Sequence, residues 1–103
     1  MERVNERSTA YLTVTPKDKA GAAQVPTALT YRIDDVSTGT EILDDTSVAP
    51  GSSVELTLTP EQNRMLGTGQ AEHRRVTVTA TYGVADQVCA EYIYEVAGLT
   101  AVP

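Results

Sequence analysis

The sequence predicts an all-β fold, a sandwich of six to seven short antiparallel strands. Apolar and polar residues alternate with a period of two in several short runs, which is typical of strands with one face in a core. Clusters of Gly, Pro, Asp and Ser separate these runs at short intervals. No run has the length or the period of the amphipathic helices that would connect the strands of a parallel sheet.

The first half of the chain predicts one strand and one hairpin. Residues 10–15 alternate strictly and stop at Pro16, whereas residues 17–24 have the composition of a polar loop, with residues 20–25 a possible brief edge strand. Leu29, Tyr31 and Ile33 then alternate with polar neighbours, and Ser37 to Gly39 is a turn signal. We therefore expect a hairpin over residues 28–43, followed by a crossing loop over residues 44–53.

The second half predicts three strands and one short helix. The strands cover residues 54–58, 75–82 and 88–96, and a turn at residues 83–86 joins the last two. Thr59, Pro60 and Gln62 form a capping-box pattern, which predicts a helix after Pro60 that ends within about two turns at Gly67 and Gly69. The residues expected to face the core are Val54, Leu56, Leu58, Val76, Val78, Ala80, Tyr92 and Tyr94.

Length and composition indicate a single folded domain. A chain of 103 residues with 41% hydrophobic and 21% charged residues has enough apolar material for one core but not for two. Residues 9–97 are the expected domain, because residues 1–8 mix acids and bases without apolar periodicity. We expect a flexible N-terminal tail over residues 1–8 and a C-terminal tail over residues 98–103.

The charge and the cysteine count restrict the partners. A net charge of −6 argues against nucleic acid and against an anionic membrane, since both select a basic face. With Cys89 as its single cysteine, the chain forms no internal disulfide, which fits an intracellular origin. No apolar window has the length of a membrane span or of a secretion signal, so export is not expected.

No catalytic constellation is evident. Cys89 and His73 supply the single thiol and the single imidazole, but a nucleophile also needs an orienting group, and none is signalled near either residue. We expect Cys89 to be a half-buried strand residue and His73 to lie at a solvated strand entrance. The sequence thus predicts no catalytic residue, no cofactor and no enzymatic activity.

Acidic residues gather around the predicted hairpin. Oxygen-rich loops can bind Ca²⁺, but the spacing matches no calcium-binding loop, and Asp is also favoured in turns for its hydrogen bonds to backbone N–H groups. We therefore predict turn chemistry and no metal site, and leave calcium binding open. For Arg74 and Arg75, a salt bridge to an acidic neighbour is favoured over phosphate binding. The acidic residues are Asp34, Asp35, Glu41, Asp44 and Asp45.

A row of threonines is the candidate interaction surface. Thr77, Thr79 and Thr81 alternate with the core residues of one strand and therefore share its outer face. Such a row is usually an ordinary sheet surface, but a flat and uncharged face also suits protein packing. We predict a protein interface at these three threonines and Ile93, with Tyr11 as a further candidate.

Three segments carry a resemblance to known proteins. Leu58-Thr59-Pro60 at a strand end, Val76 to Tyr82 followed by Gly83, and the closing strand Val88 to Val96 resemble immunoglobulin-like and fibronectin-type-III-like β-sandwiches. These sandwiches usually carry a buried Trp and a Tyr shortly after the Leu-x-Pro element. Here there is no Trp, and Arg64 and Met65 lie where that Tyr is expected.

A narrower resemblance covers about three quarters of the chain. Tyr31 to Asp35 with Thr38 to Thr40, then Leu58 to Leu66, then Arg74 to Gly83 resemble a group of small proteins encoded among tailed-bacteriophage virion genes. This resemblance implies a structural component of the particle, an accessory, decoration, head- or tail-associated protein, assembled in the bacterial host cytoplasm. Its expected partners are copies of itself or other virion proteins. The alternative is an immunoglobulin-like module that recognises a glycan or a cell-surface protein.

Overall fold

A computed structural model describes residues 2–17, 20–22, 24–67, 70–83 and 86–98, which contain seven strands and no helix. This confirms the all-β prediction. The strands lie in two sheets, one of five strands and one of two. In chain order they are β1 Glu2–Asn5, β2 Ala10–Val14, β3 Ala28–Asp35, β4 Glu41–Val48, β5 Val54–Leu58, β6 Ala71–Tyr82 and β7 Asp86–Ala97.

The five-stranded sheet has the order β1-β7-β6-β3-β4, and the small sheet pairs β2 with β5. The β6–β7 pairing is the longest, from Ala71 opposite Ala97 to Tyr82 opposite Asp86, without a register shift. All pairings are antiparallel except that of β1, which runs parallel to the end of β7 from Tyr94 to Ala97. The expectation of a purely antiparallel fold is therefore wrong for β1.

The core lies between the inner faces of the two sheets. Of the eight residues predicted to face it, six are buried, whereas Val54 and Tyr92 are only partly buried. Pairs of strands that alternate inward and outward bury one side chain in two, so the period-two pattern identifies the core correctly. The buried apolar residues of this core are Leu29, Tyr31, Ile33, Leu56, Leu58, Val76, Val78, Ala80, Tyr82, Tyr94 and Val96.

The N-terminus differs from the predicted tail. Residues 2–5 form β1, and the Arg3 side chain donates a 2.8 Å hydrogen bond from Nε to Glu95. Val4 of this strand packs against the core. The strand exists because the edge of β7 offers it backbone partners some 90 residues away in the chain, and a local pattern cannot reveal such pairing.

Over the described residues 60–67 the predicted helix after Pro60 is absent, although its capping box forms. Thr59 N–H donates to Gln62 Oε1 at 3.0 Å, and Gln62 N–H donates to Thr59 Oγ1 at 3.3 Å. Beyond this turn the backbone groups bind side chains: the Arg64 carbonyl accepts from Arg74, and Leu66 N–H donates to Glu72. These bonds replace the backbone hydrogen bonds that a helix would need, so the helical conformation ends after one turn.

Three strands are longer than predicted, and β7 gains residues 86, 87 and 97. β4 continues to Val48, so residues 46–48 of the predicted crossing loop pair with β3, and two register shifts before them along β4 interrupt the alternation. β6 begins at Ala71, and its first residues show no apolar alternation, because the buried position is occupied by Arg74. Residues 20–22, 24 and 25 form no strand. Of the predicted C-terminal tail, residues 99–103 lie outside the described residues, as do residues 84 and 85 of the predicted turn.

Candidate interaction surfaces and the buried polar cluster

The predicted interface residues lie together on the outer face of the five-stranded sheet. Thr77, Thr79 and Thr81 alternate along β6 with buried residues, and their own side chains are half-buried. Ile93 projects from the same face of β7, opposite Arg75 in the register, and is 40% exposed. We call this surface, including the aligned outward residues of β3 and β7, the threonine face.

Three strands contribute to the threonine face in register. Its middle row, Thr30, Thr79 and Cys89, is uncharged. In the next row towards Ile93, Thr77 lies between Arg32 and Glu91. The face is therefore neutral at its centre and bears charges of both signs at one end, so it favours an uncharged partner surface over a strongly charged one.

Tyr11 does not join this face. It lies on β2, in the two-stranded sheet, with 59% of its surface exposed. Because β2 covers the inner side of the five-stranded sheet, Tyr11 points outward on the opposite side of the molecule. The expected extension of the interface to this residue is therefore wrong.

An apolar cleft of about 370 Å³ opens between the two sheets. Leu12 and Val14 of β2 form one wall, and Val88 and Ala90 of β7 form the other. The cleft exists because the strands of the small sheet have five residues each, whereas β6 and β7 have twelve. At about 3.4 Å per residue, strands of roughly 17 Å cannot cover strands of roughly 40 Å.

Val88 and Ala90 continue the inward alternation of Tyr92 and Tyr94, but this alternation does not reveal that they are exposed. Val88 is 37% exposed, and Ala90 is exposed as well. The signal was present in the unequal lengths of the predicted strands. A core needs two opposing layers of similar extent, and the small sheet is too short to supply one here.

A buried polar cluster fills the other end of the sandwich, around Arg74. The Arg74 side chain is fully buried, and its guanidinium donates to Asp35 at 2.7 Å, to Glu72 at 2.8 Å and to the Arg64 carbonyl at 2.9 Å. Its Nε is buried without a partner within the described part of the chain. The salt bridge predicted for this arginine is present, and it joins β6 to β3.

Glu72 links this cluster to the turn that follows β5. Burial would raise the pKa of Glu72, but hydrogen bonds from Leu66 N–H, Arg74 and Gly67 N–H outweigh it and lower the pKa. Asp35 accepts two further bonds from Thr38, from N–H at 3.0 Å and from Oγ1 at 2.8 Å. Because each carboxylate is held by donors on two sides, the cluster fits a structural brace.

The acidic residues of the hairpin have different partners. Asp35 binds Arg74, and Asp34 forms two hydrogen bonds with Arg32 at 2.8 and 3.0 Å. Repulsion from Asp44 raises the pKa of Glu41. Among the described residues, no group of three or more His, Cys, Asp or Glu side chains is arranged to hold a metal ion.

Cys89 and His73 are too far apart to act together. Both lie on the outer face of the large sheet, but Cys89 is opposite Thr79, six residues along β6 from His73. That separation is roughly 20 Å. His73 lies 3.6 Å from Glu95, whereas the exposed Cys89 thiol contacts Thr79 and Gln87. Cys89 is therefore exposed, not half-buried as expected.

Comparison with protein-family models, with curated proteins and with solved structures finds no match for this chain. In the part of the chain that the structure describes, there is no helix that is long and apolar enough to cross a membrane. The fold thus defines the class, a two-sheet all-β domain with an apolar cleft between its sheets.

Proposed function

We propose that this protein is a non-enzymatic structural component of a tailed-bacteriophage particle, an accessory, decoration, head- or tail-associated protein. It acts by packing against copies of itself or other virion proteins, and the particle is assembled in the host cytoplasm. The observation that carries the proposal is the threonine face, in which outward residues of β3, β6 and β7 align in register on one sheet. The phage assignment rests on the sequence resemblance.

The strand order supports the immunoglobulin-like part of this proposal. In an immunoglobulin-like sandwich, the third, sixth and seventh strands form one sheet, and variable-type domains add a further strand beside the third. The order β7-β6-β3-β4, with β2 and β5 in the facing sheet, has this arrangement. The domain differs in having no Trp and no disulfide in its core.

The positions of the tyrosines favour packing over glycan recognition. Glycan and surface-protein recognition by the loops of a sandwich would need aromatic side chains in those loops. The chain has five Tyr, no Trp and no Phe, and each Tyr lies on a strand: residues 11, 31, 82, 92 and 94. The loops therefore carry no aromatic side chain.

The test is the protein content of purified particles. Mass spectrometry of virions from the phage that encodes this chain should detect it in stoichiometric amounts. A Thr79→Arg variant, which puts a charge in the neutral row, should be lost from particles. The matched control is Thr57→Arg, because Thr57 is exposed on the other sheet. Absence of the native chain from particles would refute the proposal, and so would clear hits in a glycan-array screen.

A further inference from the structure

One edge of the large sheet is open beside the apolar cleft. β1 pairs only with the last four residues of β7, from Tyr94 to Ala97. Within the described residues, no strand pairs with Asp86–Glu91 on the side away from β6. We call this segment the open edge.

The hydrogen-bonding direction of the open edge follows from the register. Gly98 N–H donates to the Gln70 carbonyl, so Gln70 and Gly98 are a hydrogen-bonded pair. Along an antiparallel ladder, hydrogen-bonded pairs alternate with pairs that have no hydrogen bond between them. Even-numbered residues of β7 therefore bond to β6. The backbone groups of Gln87, Cys89 and Glu91 point to the open side. The Ala97 carbonyl agrees, since it accepts from Glu6 on that side.

The open edge lacks the features that usually protect a sheet edge. Exposed edges are commonly blocked by lysine, proline, bulges or repeated charge. The opposite edge, β4, has register shifts and the exposed acids Glu41, Asp44 and Asp45. The open edge is regular, with neither lysine nor proline, and its two charges, Asp86 and Glu91, lie at its two ends.

The open edge also borders exposed apolar surface. Val88 and Ala90 project from the inner face of this segment into the cleft, and both are exposed. A strand that continued the sheet here would gain backbone hydrogen bonds and bring its own inner face beside these residues. This combination is typical of strand addition at a sheet edge.

We propose that the open edge pairs antiparallel with the open edge of a second copy of this chain, about a two-fold axis through Cys89. A two-fold axis perpendicular to the sheet keeps both inner faces on the same side, so like faces meet. Val88 then lies opposite Ala90 of the second copy, and the two apolar clefts become continuous. The two five-stranded sheets join into one of ten strands.

Charge selects the same edge of a second copy over its β4 edge. With the axis at Cys89, Glu91 lies opposite Gln87, and no acid opposes an acid. Pairing with β4 would bring Glu91 against an edge that bears three exposed acids, which is unfavourable because like charges directly opposite repel. A symmetric dimer of this kind is also closed, so it does not propagate into a fibre.

The test uses purified protein and the single cysteine. This inference deepens the proposed packing between copies, but it is tested in solution, so its failure leaves detection of the chain in particles unaffected. Sedimentation over a concentration series should show a dimer. A short bismaleimide should join Cys89 to Cys89, since directly opposed side chains begin about 5 Å apart.

Two variants remove the pairing by different means. Val88→Lys puts a charge beside the pairing edge at a site that is already 37% exposed, and should weaken dimerisation roughly tenfold or more. Glu91→Pro removes an N–H that points away from β6. The control is Val36→Lys, at a valine that is 42% exposed in the turn after β3. The control should dimerise and cross-link like the native chain.

Circular dichroism identifies which of the two variants fold. One folded variant is enough to test whether the open edge forms the dimer. A native chain that stays monomeric at every concentration would overturn the inference. So would a dimer in which Cys89 does not cross-link, or a dimer that survives in the folded variant.

Discussion

The Tyr94 hydroxyl donates a 2.7 Å hydrogen bond to Oδ1 of Asn63, and both side chains are buried. The Asn63 amide in turn donates to the carbonyls of Ser8, at 2.8 Å, and Leu58, at 3.4 Å. Its backbone carbonyl accepts from Arg7. One asparagine thus joins the segment before β2, the end of β5 and strand β7.

Replacing Asn63 should destabilise the fold strongly. Asn63→Ala leaves the Tyr94 hydroxyl and two carbonyls without their hydrogen-bond partner. Each buried polar group that loses its partner costs about 1–3 kcal/mol, and water that enters the site offsets part of this cost. We expect a loss of about 2–4 kcal/mol in the free energy of unfolding, measured by urea denaturation. Asn5→Ala, at an exposed asparagine of β1, is the control and should cost under about 0.5 kcal/mol. Equal effects of the two variants would contradict this account of Asn63.

The two arginine–aspartate pairs of β3 should differ in strength. Asp35 pairs with the fully buried Arg74 at 2.7 Å, whereas Asp34 pairs at 2.8 Å with Arg32, whose side chain is 36% exposed. Asp35→Ala should cost about 3–5 kcal/mol, because it leaves a buried guanidinium without this partner. Arg32→Ala, which breaks the outer pair, should cost about 1 kcal/mol or less, because solvent screens it.

A double variant separates burial from pairing. In Arg74→Met with Asp35→Leu, these two charges and the Arg74 Nε without a partner are removed together, while Glu72 keeps its hydrogen bonds from Leu66 and Gly67 N–H. Replacing a buried ion pair by apolar residues is often close to neutral, so the double variant should be more stable than Asp35→Ala. If thermal unfolding shows the double variant to be the less stable of the two, the pair itself contributes net stability.

Stability should fall in strong base through Tyr94. Burial raises the pKa of Tyr94 to about 12 from its ordinary value of 10.0, although the Arg74 charge acts the other way. Because the folded state holds this proton more tightly, its contribution is fully present below about pH 10 and is lost as the pH rises towards 12. A shift of this size corresponds to about 3 kcal/mol.

The measurement is the free energy of unfolding as a function of pH, compared with Tyr94→Phe. The native chain should lose stability relative to the variant between these two pH values. The absorbance of tyrosinate should include a step near pH 12 from Tyr94, and the variant should lack this step. Parallel pH curves for the two chains would contradict the assignment.

The parts of the fold that a short local pattern encodes were predicted correctly. Alternation identified β2, β3, β5 and most of β6 and β7, because each has one buried face. The threonine face follows from the same alternation. The capping box at Thr59 and Gln62 was also predicted correctly, although the helix was not, since the side chains of Glu72 and Arg74 at the start of β6 bind the backbone groups beyond it.

What the sequence did not reveal depends on long-range partners. β1 lacks a clear apolar face and exists through its pairing with β7. Asn63 resembles any turn asparagine until Tyr94 and Ser8 are placed beside it. The open edge is a property of the whole topology, since it arises where β1 stops and the small sheet ends. Local propensity carries no information on these juxtapositions.

The Cys89 thiol should be more reactive than an ordinary exposed cysteine. Hydrogen bonds from Gln87, at 3.5 Å, and with Thr79, at 3.7 Å, lower its pKa below the ordinary value of 9.0. The thiolate is the nucleophile, so a lower pKa means more of the reactive form at neutral pH. The rate of alkylation by iodoacetamide should rise with pH around a midpoint below 9.0. In Gln87→Ala, the midpoint of the pH profile should move up, because the larger of the two hydrogen bonds that lower the pKa of Cys89 is gone. The alkylation rate at neutral pH should fall.

The control is Glu55→Ala, on the exposed face of β5, which should leave the midpoint and the rate unchanged. An identical pH profile in Gln87→Ala and the native chain would show that Gln87 does not stabilise the thiolate.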